Sequence, residues 1–153
     1  MSVKIEVKKI RIIIAFCLSL SFSCGDPGYQ LHPSGWQSLS ERSWTKQFGD
    51  FEIQTRGLHG LIGESSVDPD LRIYNNGKSI AVESAQLRTK TEQFAAGVYD
   101  RKSLPPGATG VPLPVEWKFE QRAAPDVLGD HCEILVKLKI GEESRELKIE
   151  YEK

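Results

Sequence analysis

Three histidines, the cysteines and one glycine-rich run are the residues of this chain best suited to chemistry. His131 stands beside Cys132, a pairing that metal sites and activated thiols both use, while His32 and His59 are isolated. No two histidines have the spacing that places two ligands on one face. A blue-copper site would need a second histidine and usually a methionine near the cysteine, and the only methionine is Met1. In a strand, His131 and Cys132 point to opposite faces and cannot share a ligand. No metal site and no cofactor are therefore expected. Gly57-Leu58-His59-Gly60-Leu61-Ile62-Gly63 is rich in glycine, but its spacing is not the dinucleotide-binding fingerprint, and strained turns or a bulge account for it better. Asp68-Pro69-Asp70 offers far fewer oxygen ligands than a calcium loop uses. Ser65 lacks the G-x-S-x-G elbow of a hydrolase nucleophile. The expectation is a protein that is not an enzyme. The alternative is an enzyme or small-ligand binder with a dispersed site, built around His59 or His131 with a carboxylate and a serine.

Charge and length narrow the field. The 153 residues carry 20 bases and 21 acids, which is not the basic footprint of a nucleic-acid binder. The length suits a single domain, large enough to bury a core without disulfide staples.

The compartment is written in Lys4 to Cys24. Lys4, Lys8, Lys9 and Arg11 make a cationic start, and Ile12 to Phe22 is almost wholly apolar. That run is too short to span a bilayer, which takes about 20 residues, but it matches the apolar region of a secretory signal peptide. Small residues follow at Ser21 and Ser23, then Cys24 and the turn-rich Gly25-Asp26-Pro27-Gly28. Residues 1–23 are thus read as a signal peptide. Without them the chain keeps 16 bases and 20 acids, a net charge of −4.

The sequence Ser21-Phe22-Ser23-Cys24 resembles a bacterial lipobox, with Ser21 where the pattern has leucine and Leu20 one residue earlier. The resemblance implies that Cys24 is the lipid-attachment residue and that the protein is anchored to a membrane of the cell envelope. Ser21 and Ser23 also suit ordinary signal peptidase, which would release a soluble periplasmic or secreted protein. An acylated Cys24 leaves Cys132 without an internal partner, whereas a free Cys24 would permit a Cys24–Cys132 bridge.

Residues 24–49 read as a tether, with Pro27, Pro33 and several serines and no sustained period. Its flexible reach would be about 25–30 Å, with Trp44 and Phe48 folding back on the domain edge to bury their rings. Residues 50–153 read as the domain. Phe51, Ile53 and Thr55 alternate with polar neighbours, as do Val115, Trp117 and Phe119, which predicts half-buried strands. Asn76-Gly77 predicts a type I′ hairpin that sets Ile73 opposite Ile80 and Leu71 opposite Val82. Ile134, Val136, Leu138 and Ile140 share one face, and Leu147, Ile149 and Tyr151 share the returning one. A four-residue connection, Gly141 to Ser144, would pair Leu138 with Leu147 and Val136 with Ile149, parity being fixed because a slip of one residue reverses every side chain. Tyr99 to Pro114, with four prolines, is either a partner-binding loop or a stiff crossover between sheets.

Strand number and spacing predict an all-β fold, and the length resembles that of an immunoglobulin-like antiparallel β-sandwich. Trp117 is placed to be its core tryptophan, while the second core cysteine of true immunoglobulin domains has no counterpart. The function expected is that of an exported, envelope-tethered β-sandwich that binds protein or serves a structural role. Its contacts would be the membrane, through the lipid, and an envelope protein, through the Tyr99–Pro114 loop.

Overall fold

A computed structural model describes residues 28–74, 76–98 and 103–153. The signal peptide, Cys24, Asn75 and the segment from Tyr99 to Lys102 lie outside the described residues. The rest forms fourteen strands and one helix of five residues. The strands are β1 (Tyr29–Pro33), β2 (Gln37–Ser40), β3 (Ser43–Phe48), β4 (Phe51–Thr55) and β5 (Leu58–Gly60). Next come β6 (Ser66–Val67), β7 (Arg72–Tyr74), β8 (Ile80–Arg88), β9 (Gln93–Ala95) and β10 (Gly97–Val98). After β11 (Val111–Pro112) and β12 (Val115–Lys118) the helix α1 (Ala124–Leu128) precedes β13 (His131–Ile140) and β14 (Glu143–Glu152).

The fold is all-β, antiparallel and sandwich-like. One sheet has the order β5-β1-β14-β13-β8-β9 and the other β11-β7-β4-β3-β2, while β10-β12-β6 forms a small third sheet. These counts differ from the four and three strands of the smallest immunoglobulin sandwich. Corners form where one stretch of chain leaves one sheet for another. The stretch from β9 to β10 does so with the Ala96 amide held by the Ala85 carbonyl at 3.0 Å, and β4 passes into β5 through Arg56 and Gly57. Gly57 has φ +74°, and a Cβ there would strike the Leu31 carbonyl and lie 3.2 Å from the Trp44 ring. Gly57→Ala should therefore lower stability by about 2 kcal/mol or more, since the left-handed conformation alone costs an L-residue about 1–2. A urea midpoint equal to wild type would show that this corner relaxes freely.

The alternating faces are buried as the period of two predicts. Phe51, Ile53, Val115, Trp117, Ile134, Val136, Leu138, Leu147, Ile149 and Tyr151 all lie in one core. Three expectations change. The first is the tether, because residues 29–48 form β1, β2 and β3 within the two large sheets. Trp44 stacks on His32 at 5.9 Å, and Phe48 meets Phe51 edge-on at 5.4 Å, so both rings do fold onto the domain. The covalent path from Cys24 to the first sheet residues is then far shorter than a 25-residue stalk.

The second is the Asn76-Gly77 hairpin. β7 pairs with β4 and β11, whereas β8 pairs with β13 and β9, so this link crosses from one sheet to the other. Ile73 and Ile80 are then both core residues contributed from different sheets instead of partners in one ladder. Gly77 does not adopt the positive φ that a type I′ turn demands. Asn76 instead donates its side-chain amide to the Lys78 and Pro105 carbonyls, at 3.2 and 3.0 Å.

The third is the register of the last hairpin. Val136 pairs with Leu147 and Leu138 with Arg145 across the two-residue turn Gly141-Glu142, two residues away from the expected pairing. Gly141 at φ +59° makes the tighter turn accessible. The shift also sets Lys137 opposite Glu146, which removes the like-charge Lys137–Lys148 pair of the expected register.

The proline-rich loop is stitched to the edge formed by residues 71–80. Leu104 and Ile80 exchange backbone bonds of 2.6 and 2.9 Å, and the Gly107, Gly110 and Leu113 amides reach the Asn76, Ile73 and Leu71 carbonyls. An edge suits prolines, which lack the amide that a central strand must donate. Its described part is thus held along that edge by backbone bonds.

Candidate functional site

A concavity opens where β1 begins and β5 ends. Its volume is about 480 Å³, and Tyr29, Arg42, His59, Gly60 and Glu64 are among its walls. β5 is paired with β1 so that His59 lies opposite Gln30 and Gly60 opposite Tyr29. Alternation along β5 sends Leu58 into the core and His59 outward. Gly60 has no side chain where one would collide with the Glu64 carboxylate and come within 3.2 Å of the Tyr29 ring. The bare backbone is what allows those two groups to converge.

Behind the cleft lies a polar cluster in the core. The Tyr29 and Tyr151 hydroxyls are both buried without a hydrogen-bond partner. Burial pushes the Tyr29 phenol up to about 12, and the nearby Glu64 and Cys132 charges push in the same direction. It is a neutral donor under physiological conditions. Burial also pushes the Cys132 thiol up to about 12, and at 1% exposure this is an inert packing residue rather than a nucleophile. Tyr151, fully buried, is likewise raised by desolvation, against the lowering effect of the Thr55 hydroxyl beside it. That hydroxyl donates to the Pro69 carbonyl at 2.5 Å and accepts the Gly57 amide at 3.0 Å, and no well-formed hydrogen bond reaches the Tyr151 oxygen. Tyr151→Phe removes a poorly satisfied buried group and is expected to be neutral or to raise the unfolding free energy by up to about 1 kcal/mol. A variant clearly destabilised in urea melts would mean that the hydroxyl is bonded to Thr55 in solution.

A second hollow adjoins the cleft through His59 and Glu64 and is lined by Ser66, Asp68, Asp70 and Glu116. Asp68 is raised, chiefly by desolvation and with help from the Asp70 and Glu116 charges, against the lowering effect of the Asp70 amide. That amide donates to Asp68 Oδ1 at 2.7 Å. Asp70 in turn holds Arg72 at 2.9 Å and Arg56 at 3.7 Å. The acidic pair is thus partnered by its own backbone and by Arg72 and Arg56.

His59, Glu64 and Ser66 share this region, but no hydrogen bond joins them. A base that activates a hydroxyl needs one. His131 lies on the exposed face of β13 with Cys132 inside, as strand alternation requires. Among the described residues no three of His, Cys, Asp and Glu are grouped to hold a metal. The cleft offers an imidazole, a guanidinium and a carboxylate, a set suited to holding a polar group of mixed charge, while the Tyr29 hydroxyl is buried behind it. Tyr29, Arg42 and Glu64 were not singled out from sequence. The one hint of their meeting was Gly60, between His59 and Glu64 in a strand that otherwise needs side chains.

Compared with protein families, with curated proteins and with solved structures, the chain matches none.

Proposed function

We propose that this chain is an exported envelope lipoprotein whose β-domain is held at the membrane by acylated Cys24 and acts through protein contacts rather than catalysis. The observation that carries the reading is the N-terminal series of four bases, an apolar run from Ile12 to Phe22, small residues and Cys24. The first strand begins at Tyr29, so a domain stands ready immediately after that cysteine. Among the described residues no helix is long and apolar enough to cross a membrane, and in this reading attachment belongs to the lipid. Intact-mass analysis of the mature protein tests it. Acyl chains on an N-terminal Cys24 support the anchor, while a chain beginning at another residue, without lipid, overturns it. Crosslinking in envelope extracts tests the contact role, for which one reproducible partner is the expected result and none across growth conditions the contrary one.

A second reading, small-ligand binding or hydrolysis, draws on the 480 Å³ cleft with His59 and Glu64 in its walls. The missing hydrogen bonds among His59, Glu64 and Ser66 favour binding over hydrolysis within it. A His59→Ala variant that loses a measured ligand while keeping its fold would promote it.

A further inference from the structure

We propose that the end of the domain nearest Cys24 rests in the bilayer interface, with Leu61 and Ile62 inserted among the lipid headgroups beside the anchor. This deepens the lipoprotein reading and rests on it.

Strand register defines that end. Tyr29 pairs with Gly60, and β1 runs antiparallel to β14 with His32 opposite Glu152. Tyr29 therefore lies beyond the final residues of β14. The turn at Gly141-Glu142 is at the far end, the ten residues of β14 away, or roughly 33 Å at about 3.3 Å per residue. The turn between β2 and β3 is at the near end, because Arg42 shares a cleft with Gly28 and Leu61.

Apolar exposure concentrates there. The large exposed hydrophobics are Leu39, Leu61, Ile62 and Val111, and Leu61 and Ile62 are more than half exposed, at 53% and 51%. They are consecutive and follow directly on Gly60. Leu39, 50% exposed, is the residue left without a partner where the register of β2 shifts against β3, three positions before Arg42. Among the described residues, Val111 lies elsewhere, on edge strand β11 opposite Ile73. Single exposed leucines are ordinary, but the adjacent pair Leu61-Ile62, with Leu39 three residues from the Arg42 of the same cleft, gives this end an apolar contact surface.

The length of chain before the domain identifies the occupant. Gly28 is the fourth residue after Cys24, and four residues fully extended reach about 14 Å at most. With the Cys24 acyl chains in the bilayer, Gly28 and the Gly60–Ile62 turn beside it are confined to that distance from the interface. Lipid is the surface that must be there. Arg42 and His59 at the rim suit phosphate groups, while Glu41 and Glu64 oppose them, so the contact is mainly apolar. So small a patch binds weakly by itself. The anchor supplies the local concentration that makes it effective, and the patch fixes the domain's orientation.

The test uses the lipidated full-length protein in vesicles of phosphatidylethanolamine and phosphatidylglycerol. An environment-sensitive label is placed at Ile62→Cys or, at the far end, at Glu142→Cys, with buried Cys132 left unlabelled. Spin-labelled lipid should quench the label at 62 about twofold or more, since interfacial segments sit about 5–10 Å deep, and should leave that at 142 unchanged. Equal, weak quenching at both sites in protein that floats with the vesicles overturns the docking and leaves the anchor standing. A label at 62 shielded from iodide but untouched by spin-labelled lipid means that a second copy covers the patch, which also overturns it. Protein that neither floats nor carries acyl mass removes the lipoprotein reading, and the docking falls with it.

Discussion

Cys24→Ser is expected to move the protein from the membrane pellet into the soluble fraction, with a loss of membrane partition of at least about 100-fold. Each buried methylene of an acyl chain contributes about 0.8 kcal/mol, and even one myristoyl chain gives an association constant near about 10⁴ M⁻¹. Loss of the lipid removes nearly all of that, because Leu61, Ile62 and Leu39 together present only a few side chains. Ser21 and Ser23 keep a small-x-small site for ordinary signal peptidase, so the variant should be released at mature length. Fractionation with intact-mass measurement checks both points. A variant still in the pellet at mature mass would show that something other than Cys24 holds the protein.

Trp117→Ala should lower the unfolding free energy of the domain by about 3–5 kcal/mol. Trp117 is 0% exposed in the centre of the core, and its indole nitrogen donates to the Phe94 carbonyl at 3.1 Å. Phe94 in turn meets Phe119 edge-on at 5.2 Å and carries Arg122 over its ring. Emptying such a position costs about 3–5 kcal/mol, set against a total stability of about 5–15 for an ordinary domain. Trp117→Phe separates packing from bonding. It refills most of the space but leaves the Phe94 carbonyl without its donor, at a cost of about 1–3 kcal/mol. Urea unfolding of both variants gives the comparison, and a Trp117→Ala protein with a wild-type midpoint would mean that the core is not organised around this ring.

Much of the core was legible because a strand reveals its buried face through simple alternation. The faces carrying Ile53, Trp117, Ile134 and Ile149 needed nothing but the period of two. Parity in the final hairpin was legible for the same reason. The register itself was not, since shifts of two residues keep every side chain on its face, and only the turn at Gly141 and the apposition of Lys137 with Glu146 distinguish them. Asn76-Gly77 misled because turn chemistry is local, while the choice between a hairpin and a crossing depends on whether β4 and β11 take the edges of β7 first. Residues 29–48 misled because β1 to β3 are short, broken by Gly35 and a bulge at Leu39, and stabilised by partners far along the chain.

The candidate site was barely visible. His59 could be named from its type, but Tyr29, Arg42 and Glu64 come from three separate segments, and nothing in their spacing announces that Gly60 lets two of them meet. The paired apolar residues Leu61 and Ile62 look in sequence like any others that pack inside. By itself, then, the chain determined its all-β character and the inward faces of its strands, both of which depend on neighbours a few residues apart. Tertiary structure alone decided which edges pair, that residues 29–48 join the sheets, and which apolar residues remain outside, because each of these is settled by competition between segments distant in the chain.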